Sequence, residues 1–174
     1  MFNKILLTII AFSGVILSQD EFSSERFLGI EAGYGTVQSR NVIGVPKSDR
    51  GVEFGFRLGS QNKEWRTTLS AHHFNKNSQQ YFRTLLTIDR FLWSSFYETD
   101  RVMFKPYIGG HVGWLKYEEG KAITDDGFLY GGQVGLAWNV LEEVDFDLGY
   151  RYSFSDVKKV DDIGSIVFAV NYLY

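Results

Sequence analysis

Alternation of apolar and polar residues is the feature that most constrains how this chain can fold. Near residue 150, for example, Leu148 and Tyr150 alternate with Asp147 and Arg151, so the two sets occupy opposite faces of an extended strand. Such segments recur along the chain between turn-rich stretches, which is typical of half-buried β-strands. We predict eight strands, near residues 27–37, 51–60, 65–74, 80–92, 103–116, 127–139, 144–154 and 164–174.

The size of the chain indicates which face of these strands points outwards. Its 174 residues suit a single domain, and eight strands close into a barrel whose interior barely holds its own side chains. The face crowded with Phe, Tyr, Trp and Leu is too bulky for that interior, whereas the other face carries Gly, Ser, Ala and a few charges. A soluble, lipocalin-like barrel is therefore disfavoured. We predict an all-β fold, an eight-stranded antiparallel up-and-down transmembrane β-barrel with its apolar face in lipid.

The N-terminus has the composition of an export signal. Lys4 supplies a positive charge, residues 5–17 form an apolar run, and Ser18 offers a small residue for cleavage. No later apolar run reaches the roughly 18 residues that a membrane-spanning helix needs. We predict a signal peptide over residues 1–18 and a bacterial outer-membrane β-barrel over residues 19–174. The chain has no Cys, which excludes disulfides, and its formal charge of −3 disfavours nucleic-acid binding.

The connections between the predicted strands fall into two groups. Short turns are expected at the periplasmic end, over residues 61–64, 94–101 and 140–143. Polar loops, mostly longer, are expected at the outer end, over residues 39–50, 75–79, 117–126 and 155–163.

Aromatic residues cluster at both ends of the outward faces. Such belts are expected where amphipathic rings meet the two headgroup layers of a membrane. The predicted membrane-interface aromatics are Trp65, Trp93, Trp138 and Tyr174 near the inner rim, and Trp114, Tyr130 and Tyr152 near the outer rim.

The inward faces carry five acids and five bases. Charges removed from water are tolerated when they are paired and hydrogen-bonded. A balanced set in a narrow lumen therefore predicts a salt-bridge network that keeps the barrel closed and poorly conducting. Its predicted members are Glu31, Glu53, Arg57, Arg66, Arg83, Asp89, Lys105, Asp145, Asp147 and Arg151.

Three segments resemble a known family. Residues 104–114 and 147–152 are similar to the fifth and penultimate strands of small outer-membrane β-barrel proteins of the OmpA/OmpX/opacity-protein type. The C-terminal residues 170–174 resemble the terminal signature of that class, with Tyr172 and Tyr174 as its assembly signal. The resemblance implies periplasmic chaperones and the barrel assembly machinery as partners during biogenesis.

Three functions follow from different classes. We favour a structural or surface-interaction, adhesion-like role, with outer loops that contact lipopolysaccharide, host molecules or other cells. A narrow, porin-like channel for small solutes is the alternative. A lipid A-modifying enzyme is less favoured, because Ser70 and His72 point inwards while His73 points outwards without a nearby acid. The acid pairs at 125–126 and 161–162 match no calcium loop. We expect no catalytic residues, no metal or other cofactor, and a monomer, because a closed barrel has no free edge.

Overall fold

The structure is a computed structural model that describes residues 24–40, 46–76, 79–92, 97–98, 103–119, 123–157 and 160–174. The predicted signal peptide and the predicted interface residue Trp93 lie outside the described residues. Among the residues described, no helix has both the length and the apolar character needed to cross a membrane.

Eight long antiparallel strands form a closed barrel. The strands are β1 (Glu25–Arg40), β2 (Pro46–Gln61), β3 (Trp65–Lys76), β4 (Gln79–Phe91), β5 (Tyr97–Glu98), β6 (Met103–Glu119), β7 (Ile123–Leu141), β8 (Val144–Ser155) and β9 (Val160–Leu173). Each long strand pairs with the next long strand along the chain, so β4 pairs directly with β6, and β1 pairs with β9. The two-residue strand β5 pairs with the start of β6. This architecture confirms the predicted eight-stranded antiparallel up-and-down β-barrel.

The two ends of the barrel differ in their connections. At one end, here called the terminus end, Arg26 and Tyr174 exchange backbone hydrogen bonds of 3.2 and 2.9 Å. The turns after β2 and β7 lie at this same end. At the other, hairpin end, strand pairing continues to Arg40↔Pro46, Lys76↔Gln79 and Glu119↔Ile123.

The predicted outer loops are therefore wrong in extent. Most of residues 39–50 and 117–126, parts of 155–163 and both ends of 75–79 are strand. Their polar composition suggested loops, but antiparallel backbone pairing does not require apolar side chains, so the ladders continue past the apolar region. The predicted turn at 94–101 likewise contains β5 (Tyr97–Glu98), and the turn at 140–143 is shorter because β7 reaches Leu141.

The apolar face of the strands points outwards, as predicted. Phe56, Leu148 and Phe168 are 74%, 46% and 41% exposed. Their neighbours in sequence, such as Arg57 and Asp147, are buried in the lumen. Because every long strand pairs on both sides, its side chains have only these two directions available.

The exposed apolar side chains form a belt around the barrel, and polar residues lie beyond this apolar belt towards the hairpin end. Arg50, Gln80 and Asp126 are exposed on the exterior there. On β6, Lys116 follows the outward-facing Trp114 by two residues and ion-pairs with Glu118 at 2.7 Å. Its hydrogen bond to that carboxylate raises the pKa of Lys116. On β6 the exterior thus changes from apolar to charged between two successive outward-facing residues.

The lumen also contains an apolar core, which was not predicted from the sequence. It lies at the hairpin end, and its members are each 3% exposed or less. We call this group the hairpin cap: Val37, Phe74, Tyr81, Leu115, Tyr117, Leu129, Val157, Val160 and Ile163. The expected interior of Gly, Ser, Ala and matched charges is therefore incomplete, because the upper lumen is filled by large apolar side chains.

Adjacent glycines on β6 allow a test of inward and outward directions. A Cβ atom at Gly109 would overlap the Asp89 carboxylate and lie 2.6 Å from the Ile88 carbonyl oxygen. At Gly110 the nearest atom, the Gly131 carbonyl oxygen, is 3.7 Å away. We expect Gly109→Ala to destabilise the barrel by about 1–3 kcal/mol, because the added methyl group would overpack the lumen. Urea titration in detergent, followed by Trp fluorescence, measures the change.

Gly110→Ala is the matched control. Its methyl group points away from the lumen, so the free energy of unfolding should remain within about 0.5 kcal/mol of the wild-type value. Equal destabilisation by the two variants would contradict the assigned directions.

Candidate functional site

The candidate site is the lumen, where inward faces bring charged side chains together. Glu31 on β1 is buried, and Arg151 on β8 donates hydrogen bonds to both of its carboxylate oxygens, at 2.8 and 3.2 Å. Arg57 on β2 donates another at 3.4 Å, and Nε2 of His72 on β3 lies 2.7 Å from Oε1. Three strands besides β1 therefore converge on one carboxylate.

A second centre forms around Arg66 on β3. Its Nε atom donates a 2.9 Å hydrogen bond to Asp89 on β4, and its Nη1 atom pairs with Asp147 on β8. The hydroxyl of Tyr107 donates to Asp147 at 2.6 Å. The Arg66 guanidinium also lies 4.4 Å from the centroid of the Tyr107 ring. Arg66 is thus held between two carboxylates and against an aromatic face.

Two links join these centres into a closed ring. Arg57 Nη1 lies 3.7 Å from Asp147 Oδ2. On the opposite side, Gln133 donates to Asp89 at 2.7 Å and accepts a 3.0 Å hydrogen bond from Arg151 Nε. The ring ties six strands together across the lumen. It passes through Glu31, Arg57, Asp147, Arg66, Asp89, Gln133 and Arg151 and returns to Glu31.

Smaller polar groups lie on either side of the ring. Towards the hairpin end, Arg83 pairs with Glu53, which also accepts a 2.8 Å hydrogen bond from the Tyr81 hydroxyl. Towards the terminus end, Gln61 donates a 2.6 Å hydrogen bond to Asp145. Tyr81 belongs to the hairpin cap, so one hydrogen bond connects the cap to the charged interior.

The structure buries nine of the ten charges that the sequence places inside, and eight of these form ion pairs: Glu31, Glu53, Arg57, Arg66, Arg83, Asp89, Asp147 and Arg151. Asp145 is the ninth and is held by Gln61. Lys105 differs because it is half-buried, with its Nζ atom 5.8 Å from the centroid of the Phe91 ring.

Several uncharged members of the network were missed by the sequence reasoning. His72, Gln133, Tyr81 and Tyr107 all contribute hydrogen bonds to buried carboxylates. Each lies at an inward position by the same period-two rule that identified the charges. The available signal was therefore their parity, whereas their partners depend on strand register across the barrel.

The buried histidines and serines do not form a catalytic arrangement among the residues that the structure covers. His111 Nε2 lies 2.8 Å from Ser153 Oγ, but both residues are buried and His111 Nδ1 has no hydrogen-bond partner there. A serine nucleophile needs a base oriented by an acid and access for the substrate. The outward-facing His73 lies between Phe54 and Phe82 on the neighbouring strands. Within the described ranges, no group of three potential metal ligands occurs.

The predicted interface aromatics that fall within the described ranges lie on the exterior. Trp65, Trp114, Tyr130 and Tyr174 are 45%, 51%, 51% and 65% exposed, and Trp138 and Tyr152 are half-exposed. The Arg90 guanidinium lies 5.4 Å from the centroid of the Trp65 ring near the terminus end. Amphipathic aromatic and guanidinium groups of this kind suit a membrane–water boundary.

The exterior also carries two apolar grooves, of about 700 and 520 Å³. Phe56, Ile30 and Ala71 line both of them, and Phe54 contributes to the smaller one. Phe54 and Phe56 are 66% and 74% exposed, so these rings form the walls of the grooves on the outward surface. Such space suits acyl chains rather than a polar solute.

The ring of ion pairs can be tested with Asp147→Asn. The variant preserves the shape of the side chain but removes the charge that faces Arg66 and Arg57. Because this leaves a buried guanidinium undercompensated, we expect a loss of about 3 kcal/mol in the free energy of unfolding. Urea titration of the refolded protein in lipid vesicles measures it.

Lys116→Gln provides the control, since it breaks an ion pair on the exposed exterior. No measurable change is expected there, because surface pairs are screened by water. If both variants were equally stable, the ring would not contribute to holding the barrel.

Solved structures of known proteins share the fold of this chain. No protein-family model and no curated protein matches the chain. The crystal structure of Neisserial surface protein A (NspA) is similar, with 17% identity over 86% of this chain and 97% of that chain and a TM-score of 0.69. Outer membrane protein H (OprH) of P. aeruginosa in DHPC micelles has 19% identity over 86% of this chain and 99% of that chain, with a TM-score of 0.58.

A third similar structure is the outer membrane protein OprG of Pseudomonas aeruginosa. It has 15% identity, covers 88% of this chain and 97% of that chain, and gives a TM-score of 0.54. At these identities the similarity is one of fold. The chain therefore has the fold of the small outer-membrane β-barrel proteins that its sequence resembles.

Proposed function

We propose that this protein is exported, inserts into a bacterial outer membrane and acts at the cell surface through its hairpin end. The observation that carries this proposal is the combination of a lumen filled by paired charges with a belt of exposed apolar side chains around it. The filled lumen argues against transport as the main role. The exposed hairpins then offer a surface that other molecules can contact.

The apolar belt supports insertion into lipid. Ile30, Ile108 and Ile166, on three different strands, are 60%, 50% and 57% exposed. Contiguous apolar surface of this extent is rare on soluble monomers. In a bilayer the same surface is favourable, and the closed sheet satisfies the backbone hydrogen bonds of the strands.

The proposed orientation places the terminus end in the periplasm and the hairpin end outside. It is consistent with a signal peptide over residues 1–18, which would deliver the mature barrel, residues 19–174, to periplasmic chaperones and the assembly machinery. Tyr172 and Tyr174, at the end of the last strand and just after it, are 52% and 65% exposed, so an assembly factor can reach them. A closed barrel without a free edge suits a monomer.

The hairpin end carries the polar surface that we propose for recognition. Asp126 and Asp156 are exposed there, and Lys116 and Glu118 lie on the neighbouring part of β6. One solved neighbour, NspA, is named a surface protein. Lipopolysaccharide, host molecules and adjacent cells are the partners that this location makes available.

The two alternatives have less support. A solute channel requires a passage, whereas Glu31 and Arg66 are 3% and 1% exposed within the paired lumen. A lipid A-modifying enzyme requires a serine, a histidine and an acid together on the lipid-facing side. Ser70 and His72 point into the lumen, and His73 faces outwards between two phenylalanines.

Charge removal at the two ends of the barrel tests the surface role. We expect Asp126→Ala with Asp156→Ala to change the binding of protein-bearing outer-membrane vesicles to immobilised lipopolysaccharide or to cultured epithelial cells at least about twofold. The reason is that these carboxylates lie on the proposed recognition surface, so their removal changes the electrostatic potential of that surface.

The matched control is Glu142→Ala with Glu143→Ala, which removes two exposed acids from the turn at the terminus end. This variant should bind like the wild type. Identical binding by both variants, or a change in the control alone, would contradict recognition through the hairpin end.

The proposed assembly signal is tested with Tyr174→Ala. The backbone of residue 174 pairs with Arg26, so this change keeps the hydrogen bonds that close the barrel. We expect refolding in detergent to be nearly unaffected while the amount inserted in cells falls several-fold. Heat-modifiable migration on gels measures both quantities.

Tyr34→Ala is the control, because Tyr34 is a similarly exposed tyrosine, at 56%, on another strand. Equal losses of cellular insertion in the two variants would show that residue 174 has no special role.

A further inference from the structure

The lumen has fillings of opposite chemistry, one above the other. The ring of ion pairs occupies its middle, a small apolar cluster of Phe91, Tyr107 and Ala137 lies towards the terminus end, and the larger hairpin cap closes the end from which the hairpins extend. Leu115, Leu129, Val160 and Ile163 in the cap are 0% exposed. The rings of Phe74 and Tyr81 stack at 4.7 Å with an interplanar angle of 4°.

The cap is built from every outer hairpin. Val37 comes from β1, Phe74 and Tyr81 from β3 and β4, and Leu115 and Leu129 from β6 and β7. Residues 157, 160 and 163 complete it from the connection between β8 and β9 and from the start of β9. Because contributions converge from all sides of the barrel, the cap covers the cross-section of the lumen at that level.

The charged interior below the cap is a poor barrier by comparison. Paired carboxylates and guanidinium groups keep spare hydrogen-bonding capacity, as shown by Arg57 Nε and Arg83 Nη1, which make no hydrogen bond within the described part of the chain. Thr68 and Thr87, which pair directly across β3 and β4, each have a buried hydroxyl that likewise makes no hydrogen bond within the described residues. Groups of this kind hold water. An apolar constriction, in contrast, excludes water and thereby blocks ions.

We propose that the hairpin cap, and not the ion-pair ring, is the permeability barrier of this barrel. The proposal rests on the proposed function, since it takes the barrel to span a membrane. In it, the ring fixes the strands relative to one another. The cap is the layer that water and small ions fail to cross.

The experiment makes the cap polar without changing its shape. Val37, Val157 and Val160 are 1%, 3% and 0% exposed, and threonine is nearly the same size as valine. We expect the triple variant Val37→Thr, Val157→Thr and Val160→Thr to give ion conductance in planar bilayers at least about tenfold above the leak of a protein-free bilayer. The wild-type protein should remain silent.

The comparison variant breaks a lumen ion pair and leaves the cap unchanged. Glu31→Gln with Arg151→Gln removes both charges of a pair within the ring and also creates space. We expect it to be as silent as the wild type. Conductance in this variant, or silence in the cap variant, would overturn the assignment of the barrier.

Insertion is checked separately by heat-modifiable migration of each reconstituted protein. Failure of the wild type to insert would contradict the proposed membrane location itself. If the triple variant alone fails to fold, the single change Val160→Thr is measured, and a silent but inserted Val160→Thr protein would count against the cap.

Discussion

Closure of the β-sheet is the constraint on which the other features of this protein depend. Since β1 pairs with β9 and β4 with β6, every long strand has a partner on each side, and side chains face either the exterior or a narrow lumen. Long charged side chains fit inside because glycine faces them: a Cβ atom at Gly33 would lie 2.7 Å from Glu53 Oε1. The same closure turns the aromatic side chains of the opposite face, such as Phe56, outwards, where lipid makes their exposure favourable.

The ion-pair ring and the hairpin cap contribute in different ways. A buried ion pair gains little net stability, because desolvation offsets most of its attraction, but an unpaired member is costly. The ring through Glu31 and Arg66 therefore disfavours any strand register that separates its members. The hairpin cap stabilises by burial of apolar surface and needs no partner geometry. Specificity of register and exclusion of water are thus assigned to separate layers.

The hairpins connect this interior to the proposed surface function. Strand pairing continues beyond the apolar belt, and the inward side chains of those extensions form the cap. Exposed polar residues such as Asp126 and Lys116 therefore lie on paired strands anchored from within. A surface held in this way loses less conformational entropy on binding a partner than a free loop does.

The sequence by itself determined the eight strands, their inward and outward faces and nine of the ten charges that it placed inside, because period-two alternation specifies side-chain direction in any extended strand. It did not determine which charges meet: Glu31 and Arg151 are 120 residues apart and pair only through the register of the closed sheet. Polar composition also hid the strand extensions in 39–50 and 117–126. The cap was missed for a related reason, since Phe74 and Leu129 become one core only when the hairpins converge across the lumen.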